Sequence, residues 1–186
     1  MKISWNVPNI LTMIRMACTP AVIVLFLLNI PNGIGVFVAL GIYILACFTD
    51  FLDGYIARKN NMVTSFGKFI DPLADKLLVM ALLIFLTDKS MVSLPLFIPI
   101  IILAREFFVS GVRLVCVLEN NVIAASKLGK YKTATTMAAI IVLSLVTYLE
   151  FLYIPGMVLM YIAVVLTIVS GVEYFWKNRH SVLKTM

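Results

Sequence analysis

Four aspartates lie in two pairs within an otherwise apolar part of the sequence. Asp50 and Asp53 are three residues apart, and Asp71 and Asp75 are four residues apart. On a helix, either spacing places both members of a pair on the same face. Four carboxylates that lie close together repel one another unless cations neutralise them. Because oxygen-only ligand sets suit Mg²⁺ or Mn²⁺, the spacing indicates a site for divalent cations. The alternative is that the aspartates form ion pairs with the basic residues nearby, which are Arg58, Lys59, Lys68 and Lys76.

The composition around these aspartates is that of a membrane protein. Of the 186 residues, 62% are hydrophobic and 13% are charged, and the mean hydropathy is +1.07. Soluble domains are about 45–50% apolar and about 25% charged. A charged residue at the centre of a bilayer costs about 2.5–3.5 kcal/mol on insertion scales, so four aspartates need compensation. Bound cations, or a position near the cytoplasmic ends of the helices, would supply it.

Six stretches are long and apolar enough to form membrane-spanning helices of about 20 residues each. The residues between the second and third stretches are polar, and they predict a short turn between two antiparallel helices that brings the two aspartate pairs together. Pro155 and Gly156 predict the break between the fifth and sixth spans. No polar linker divides the chain, so we expect one domain over residues 1–186. The predicted spans are 8–29, 34–58, 66–87, 93–118, 128–149 and 155–177.

The basic residues predict how the spans are oriented. Lysine and arginine are frequent near both termini and in the connections around residues 60 and 125, whereas the other connections contain only Lys89. The positive-inside rule therefore places both termini in the cytoplasm. The net charge of +6 is concentrated near the ends of apolar segments, which favours anionic lipid or phosphate over nucleic acid as a partner. We therefore expect an all-α polytopic protein of the cytoplasmic membrane.

Residues 50–75 read DFLDGYIARKNNMVTSFGKFIDPLAD. This segment resembles the signature of the CDP-alcohol phosphotransferase family, D-x2-D-G-x2-A-R-x8-G-x3-D-x3-D. The resemblance extends over nearly the whole chain through the segments VPNILTMIR, AREFFVSGVR, LGKYKTA and SGVEYF, and it is greatest for members that use glycerol 3-phosphate. All eight fixed positions of the signature match: Asp50, Asp53, Gly54, Ala57, Arg58, Gly67, Asp71 and Asp75.

The resemblance implies an activity and a set of site residues. It implies transfer of a phosphatidyl group from CDP-diacylglycerol to glycerol 3-phosphate with release of CMP, by a homodimer. Asp50, Asp53 and Asp71 would hold one divalent cation, and Asp50, Asp71 and Asp75 the second. Asp75 would also be the general base, although spacing alone does not distinguish it from the other three. The implied contacts to the CDP part of the lipid are Asn9, Thr12, Gly54, Arg58 and Thr64.

Four cations in the second half of the chain are the predicted ligands of the acceptor phosphate. Arg105 lies well inside the fourth span, Arg113 lies two turns further on, and Lys130 and Lys132 begin the next helix. Their convergence would form a pocket for a phosphate-bearing acceptor. The alternative for Arg105 is an ion pair with Glu106, but adjacent residues do not face each other on a helix, which argues against this pair.

Other functions remain open from the sequence. Family members that use serine, inositol phosphate or phosphatidylglycerol as the acceptor are the nearest alternatives, and the basic cluster favours a phosphorylated acceptor over serine. A cation transporter would explain four intramembrane carboxylates. It would not explain the glycine, alanine and arginine at fixed positions around them. A non-catalytic lipid-binding subunit is the third alternative.

Overall fold

A computed structural model describes residues 7–27, 34–59, 65–88, 92–118 and 126–183. These described residues form six α-helices and a short 3₁₀ helix, Glu150–Leu152, and they contain no β-strand. The all-α prediction is therefore confirmed for this part of the chain. The helices are α1 (Val7–Leu27), α2 (Ile34–Lys59), α3 (Ser65–Leu86), α4 (Phe97–Leu118), α5 (Lys127–Ser144) and α6 (Tyr153–Leu183).

Helix α4 begins four residues later than the sequence predicts, because the chain makes a tight turn after α3. Ser93 has a φ of 57°, in the left-handed region. Its N–H donates to the Asp88 carbonyl oxygen at 3.0 Å, and the Leu94 N–H donates to the Leu86 carbonyl oxygen at 2.9 Å. Pro95 follows, and the residue before a proline is biased away from the helical conformation. The turn and this proline therefore delay the start of α4 to Phe97.

The predicted break at Pro155 and Gly156 is wrong. Both residues lie in the first turn of α6, which begins at Tyr153. A proline in the first turn of a helix loses no hydrogen bond, because the first N–H groups have no partner within the helix. The chain reverses earlier, after α5 ends at Ser144, where a run of turns leads into the 3₁₀ helix.

The chain divides into two compact units, residues 1–85 and 86–186. In the first unit, α1 packs against α2. In the second unit, α6 packs against both α4 and α5. Apolar helices in a membrane associate by close packing of small residues and not by the hydrophobic effect. The face that α6 buries fits this rule, since most of its members are small: Gly156, Met160, Ala163, Thr167, Ser170, Gly171 and Tyr174.

The outward faces of the helices are apolar. On α6 the exposed side chains include Val165, Val172 and Trp176. Within the described ranges, one helical stretch, Glu150–Arg179, is long and apolar enough to cross a membrane. Three shorter helical stretches are also apolar, namely Met16–Leu25, Ile34–Thr49 and Lys76–Leu86. Both features are those of a helical protein whose surroundings are apolar.

Candidate active site

The aspartate motif spans two helices, as its spacing predicts. Asp50 and Asp53 lie in the last three turns of α2, and Asp71 and Asp75 lie in the first three turns of α3. With a rise of 1.5 Å per residue, Asp53 and Asp71 each lie about 9 Å along the axis from the helix end nearest the connection. Asp50 lies about 13.5 Å and Asp75 about 15 Å from those ends. Antiparallel packing of the two helices would therefore place Asp53 level with Asp71, and Asp50 nearly level with Asp75 about one turn further in.

The side chains of the four aspartates lie outside the described part of the structure. The same holds for four of the predicted contacts to the CDP-lipid, whose backbone is helical, in α1 for Asn9 and Thr12 and in α2 for Gly54 and Arg58. Thr64 lies outside the described residues altogether. Among the side chains that are described, no three histidines, cysteines or carboxylates group together as metal ligands. The donor set of the motif, four carboxylates in two helical pairs, fits hard divalent cations.

Arg105 is the centre of a polar network in the second unit. Its Nη1 donates to Oε1 of Glu106 at 3.0 Å, and its Nη2 donates to the Ser170 hydroxyl of α6 at 3.0 Å. The Ser170 hydroxyl in turn donates to the Thr167 carbonyl oxygen at 3.2 Å. The argument from helix geometry against an Arg105–Glu106 pair is wrong, because the arginine side chain is long enough to reach its neighbour. Arg105 therefore ties α4 to α6.

Lys132 joins the same network from α5. It is only 5% exposed, and its Nζ donates to Oε1 of Glu106, the oxygen that also accepts from Arg105. One carboxylate oxygen thus holds cations from two helices. Hydrogen bonds in which both partners are charged are about twice as strong as neutral ones. The structure therefore brings together two of the four predicted phosphate ligands, Arg105 and Lys132.

The other two predicted phosphate ligands are exposed on their helices. Lys130 precedes Lys132 by two residues, which rotates it about 200° around the axis of α5. Arg113 follows Arg105 by eight residues, which rotates it about 80° around α4. Both side chains are exposed, whereas those of Arg105 and Lys132 are largely buried.

Two glycines let neighbouring backbones approach Arg105 closely. A Cβ on Gly171 of α6 would lie 3.1 Å from Cγ of Arg105. A Cβ on Gly129 of α5 would lie 3.6 Å from Nη2 of Arg105 and 3.2 Å from the Ser126 hydroxyl oxygen. That oxygen caps α5 by accepting the Gly129 N–H at 3.0 Å. The guanidinium is therefore packed by both α5 and α6.

The importance of Glu106 and Ser170 was not predicted from the sequence, in which Glu106 was only an alternative partner of Arg105 and Ser170 had no role. A signal was present, because three of the segments that carry the family resemblance meet at this network. AREFFVSGVR contributes Arg105 and Glu106, LGKYKTA contributes Gly129 and Lys132, and SGVEYF contributes Ser170 and Gly171.

Residues 5–169 match the CDP-alcohol phosphatidyltransferase family. The chain belongs to this family, which confirms the prediction from the aspartate motif. Similar proteins include the CDP-diacylglycerol–glycerol-3-phosphate 3-phosphatidyltransferase of Rickettsia bellii, which is 43% identical over 94% of this chain and 96% of its own length. The protein of the same name from Bacillus subtilis is 40% identical over 94% of this chain and 95% of its own. That from Haemophilus influenzae is 35% identical over 96% of both chains.

Proposed function

We infer that this chain transfers the phosphatidyl group of CDP-diacylglycerol to glycerol 3-phosphate, releasing CMP and forming phosphatidylglycerophosphate. The observation that carries this conclusion is the complete eight-position aspartate motif in a family member. Relatives that carry this activity in their names align with nearly the whole chain. Their names agree with the acceptor that the sequence predicts. The chain is thus a phosphatidyltransferase of phospholipid synthesis.

We propose that Asp50, Asp53, Asp71 and Asp75 hold two divalent cations, Mg²⁺ or Mn²⁺. Support comes from their oxygen ligands and from their pairing on helical faces of α2 and α3. Such cations, when bound, neutralise pyrophosphate oxygens and the charge that develops on the leaving CMP. Asp50, Asp53 and Asp71 would hold one cation, and Asp50, Asp71 and Asp75 the other.

The chain's own groups have defined tasks in this reaction. The acceptor hydroxyl attacks the phosphorus on the lipid side of the pyrophosphate, the bond from that phosphorus to the CMP oxygen breaks, and Asp75 takes the hydroxyl proton. Positioning dominates catalysis of such transfers, since the protein supplies little covalent chemistry. We propose that the CDP part is positioned by Asn9, Thr12, Gly54, Arg58 and Thr64.

We propose that the acceptor phosphate binds to Arg105, Arg113, Lys130 and Lys132. The described residues around Arg105 favour an anion. Two cations share one carboxylate there, which leaves an excess of positive charge. The first turn of α5 carries no acidic residue, and the N-terminus of a helix adds a partial positive charge of about half a unit. Arginine and lysine differ in this role, because the guanidinium can bind two phosphate oxygens at once.

We further propose a single-domain protein that spans the cytoplasmic membrane six times. Both termini and the active site would face the cytoplasm, as the distribution of lysine and arginine predicts. The apolar outward faces of the described helices support immersion in lipid. We also propose that the protein is a homodimer, as the family resemblance implies. A particle mass in detergent corresponding to one chain would contradict that state.

The reaction is tested with purified protein, CDP-diacylglycerol and one acceptor at a time. Glycerol 3-phosphate should give CMP release that requires Mg²⁺ or Mn²⁺ and stops when the metal is chelated. Serine, inositol phosphate and phosphatidylglycerol should give none. The Asp75→Asn variant should lose turnover by at least about 100-fold, the lower range for a general base, while remaining folded.

The acceptors separate the competing functions. CMP release with a different acceptor would assign the chain to another member of the same family. Absence of release with every acceptor would contradict the enzyme and favour a transporter or a lipid-binding subunit. Glu150→Gln is a suitable control for the aspartate variant, because Glu150 is exposed in the 3₁₀ helix just before α6. The turnover of this control variant should be unchanged.

A further inference from the structure

Glu106 is an unusual residue of the second unit, and it has no task in the proposed reaction. It is one of the few acidic residues in an apolar chain, and it lies in the interior of α4. A carboxylate beside cations that bind phosphate would weaken binding by its charge alone. Its position therefore requires a compensating role.

The contacts of Glu106 indicate that role. Its Oε1 accepts from Nη1 of Arg105 on its own helix and from Nζ of Lys132 on α5. Without the carboxylate, these two largely buried cations would repel each other and would lose the charge that balances them. The side chain of Arg105 is 12% exposed and that of Lys132 is 6% exposed, so solvent screens their charges poorly.

The remaining contacts of Arg105 restrict the direction of its guanidinium. Nη2 is bonded to Ser170, and Gly171 lies against the aliphatic part of the side chain. Among the described residues, Nε of Arg105 is buried and has no acceptor. An arginine held at Nη1 and Nη2 in this way has one orientation, and the carboxylate provides the charged half of that restraint.

We propose that Glu106 is a positioning residue for the phosphate-bearing acceptor. It holds Arg105 and Lys132 side by side in the geometry that binds the phosphate, and it acts through these two cations without touching the acceptor. The proposal rests on the proposed function, since it concerns the same substrate. It also distinguishes Lys132, which contacts Glu106, from the exposed Lys130.

Two substitutions separate charge from volume. Glu106→Gln keeps the size of the side chain and removes its charge, whereas Glu106→Asp keeps the charge and shortens the chain. We expect Glu106→Gln to raise the KM for glycerol 3-phosphate about tenfold, which corresponds to a loss of about 1.4 kcal/mol in acceptor binding. The KM for CDP-diacylglycerol should stay within about twofold of its value in the unaltered chain. Glu106→Asp should raise the acceptor KM less than Glu106→Gln does. A purely packing role would give the reverse order.

A double variant tests whether Glu106 acts through Arg105. Interacting residues give non-additive effects, so Arg105→Ala with Glu106→Gln should raise the acceptor KM by less than the product of the two single increases, the remainder being the effect through Lys132. Additive effects would overturn the proposal. Glu150→Gln, an exposed carboxylate in the same unit, serves as the matched control and should leave both Michaelis constants unchanged.

The outcomes distinguish this proposal from the function on which it rests. If the unaltered chain releases no CMP with glycerol 3-phosphate, the proposed function itself has failed. If it does, and Glu106→Gln has an unchanged acceptor KM or raises both Michaelis constants equally, only the positioning role is overturned. Failure of both Glu106 variants to yield folded protein, judged by size-exclusion chromatography in detergent, would also overturn it by assigning Glu106 to stability.

Discussion

Arg105 lies where three helices of the second unit meet, and two of its nitrogens already donate to protein atoms. Its neighbours show how a charged residue is accommodated in an apolar helix bundle. Glu106 balances its charge, Ser170 accepts a hydrogen bond, and two glycines make room for its side chain. A guanidinium restrained in this way loses little conformational entropy when it binds a phosphate.

Substitution of Arg105 tests its role at the residue scale. Arg105→Ala should lower kcat/KM for glycerol 3-phosphate by about 10- to 150-fold, because a hydrogen bond to a charged group contributes about 1.5–3 kcal/mol. The kcat/KM of Arg105→Lys should lie between those of Arg105→Ala and the unaltered chain, since lysine keeps the charge but lacks the planar guanidinium. The measurement is the rate of CMP release against acceptor concentration.

Arg179→Ala is the control for this prediction. Arg179 lies in the same unit, where its guanidinium sits over the ring of Trp176 at 4.3 Å from the centroid, and it has no part in the proposed site. Its loss should leave the acceptor KM unchanged. An unaltered KM and turnover in Arg105→Ala itself would show that Arg105 does not bind the acceptor.

At the scale of the helices, α6 organises the second unit. It presents mostly small residues to α4 and α5, and many of its large apolar side chains are exposed. Gly156 marks a close approach in this interface, since a Cβ there would lie 2.6 Å from Cδ2 and 3.0 Å from Cγ of the fully buried Leu143. The proline and glycine that the sequence marked as a chain break therefore serve to start α6 and to bring it against α5.

Gly156→Ala should destabilise the second unit. The added methyl group overlaps a buried side chain, and overpacking of this kind costs about 1–3 kcal/mol. We expect a lower midpoint of thermal unfolding in detergent. The matched control is Gly111→Ala on α4, where an added Cβ meets nothing within 4 Å and alanine favours the helix. A midpoint for Gly156→Ala equal to or above that of Gly111→Ala would contradict the close packing of α5 and α6.

At the scale of the whole molecule, the proposed orientation has a direct test. Reporter domains fused after residue 186 and after residue 90 should lie on opposite sides of the membrane, because the first site follows an even number of spans and the second an odd number. A C-terminal fluorescent protein should fold in the cytoplasm, and alkaline phosphatase fused near residue 90 should be active outside it. Both reporters on one side would contradict six spans.

The aspartate motif and the helical segments could be predicted from the sequence alone. The placement of Asp50, Asp53, Asp71 and Asp75 in pairs follows from local spacing along helices, and helix periodicity is a property of sequence. Most helix boundaries follow for the same reason, since apolar runs and turn residues are local signals. The reaction class was implied by the family resemblance that this motif carries, and membership of the family confirms it.

What only the tertiary structure decided is which residues meet from distant parts of the chain. Arg105 and Ser170 are 65 residues apart, and Glu106 and Lys132 are 26 apart, so no local pattern pairs them. Lys130 and Lys132 are equivalent as charges in the sequence, yet the rotation of α5 exposes one and buries the other. The sequence by itself determined the kind of chemistry, because the aspartate motif is a local pattern and carries the family resemblance. The packing of α4, α5 and α6 decided that a glutamate holds two of the predicted cations together.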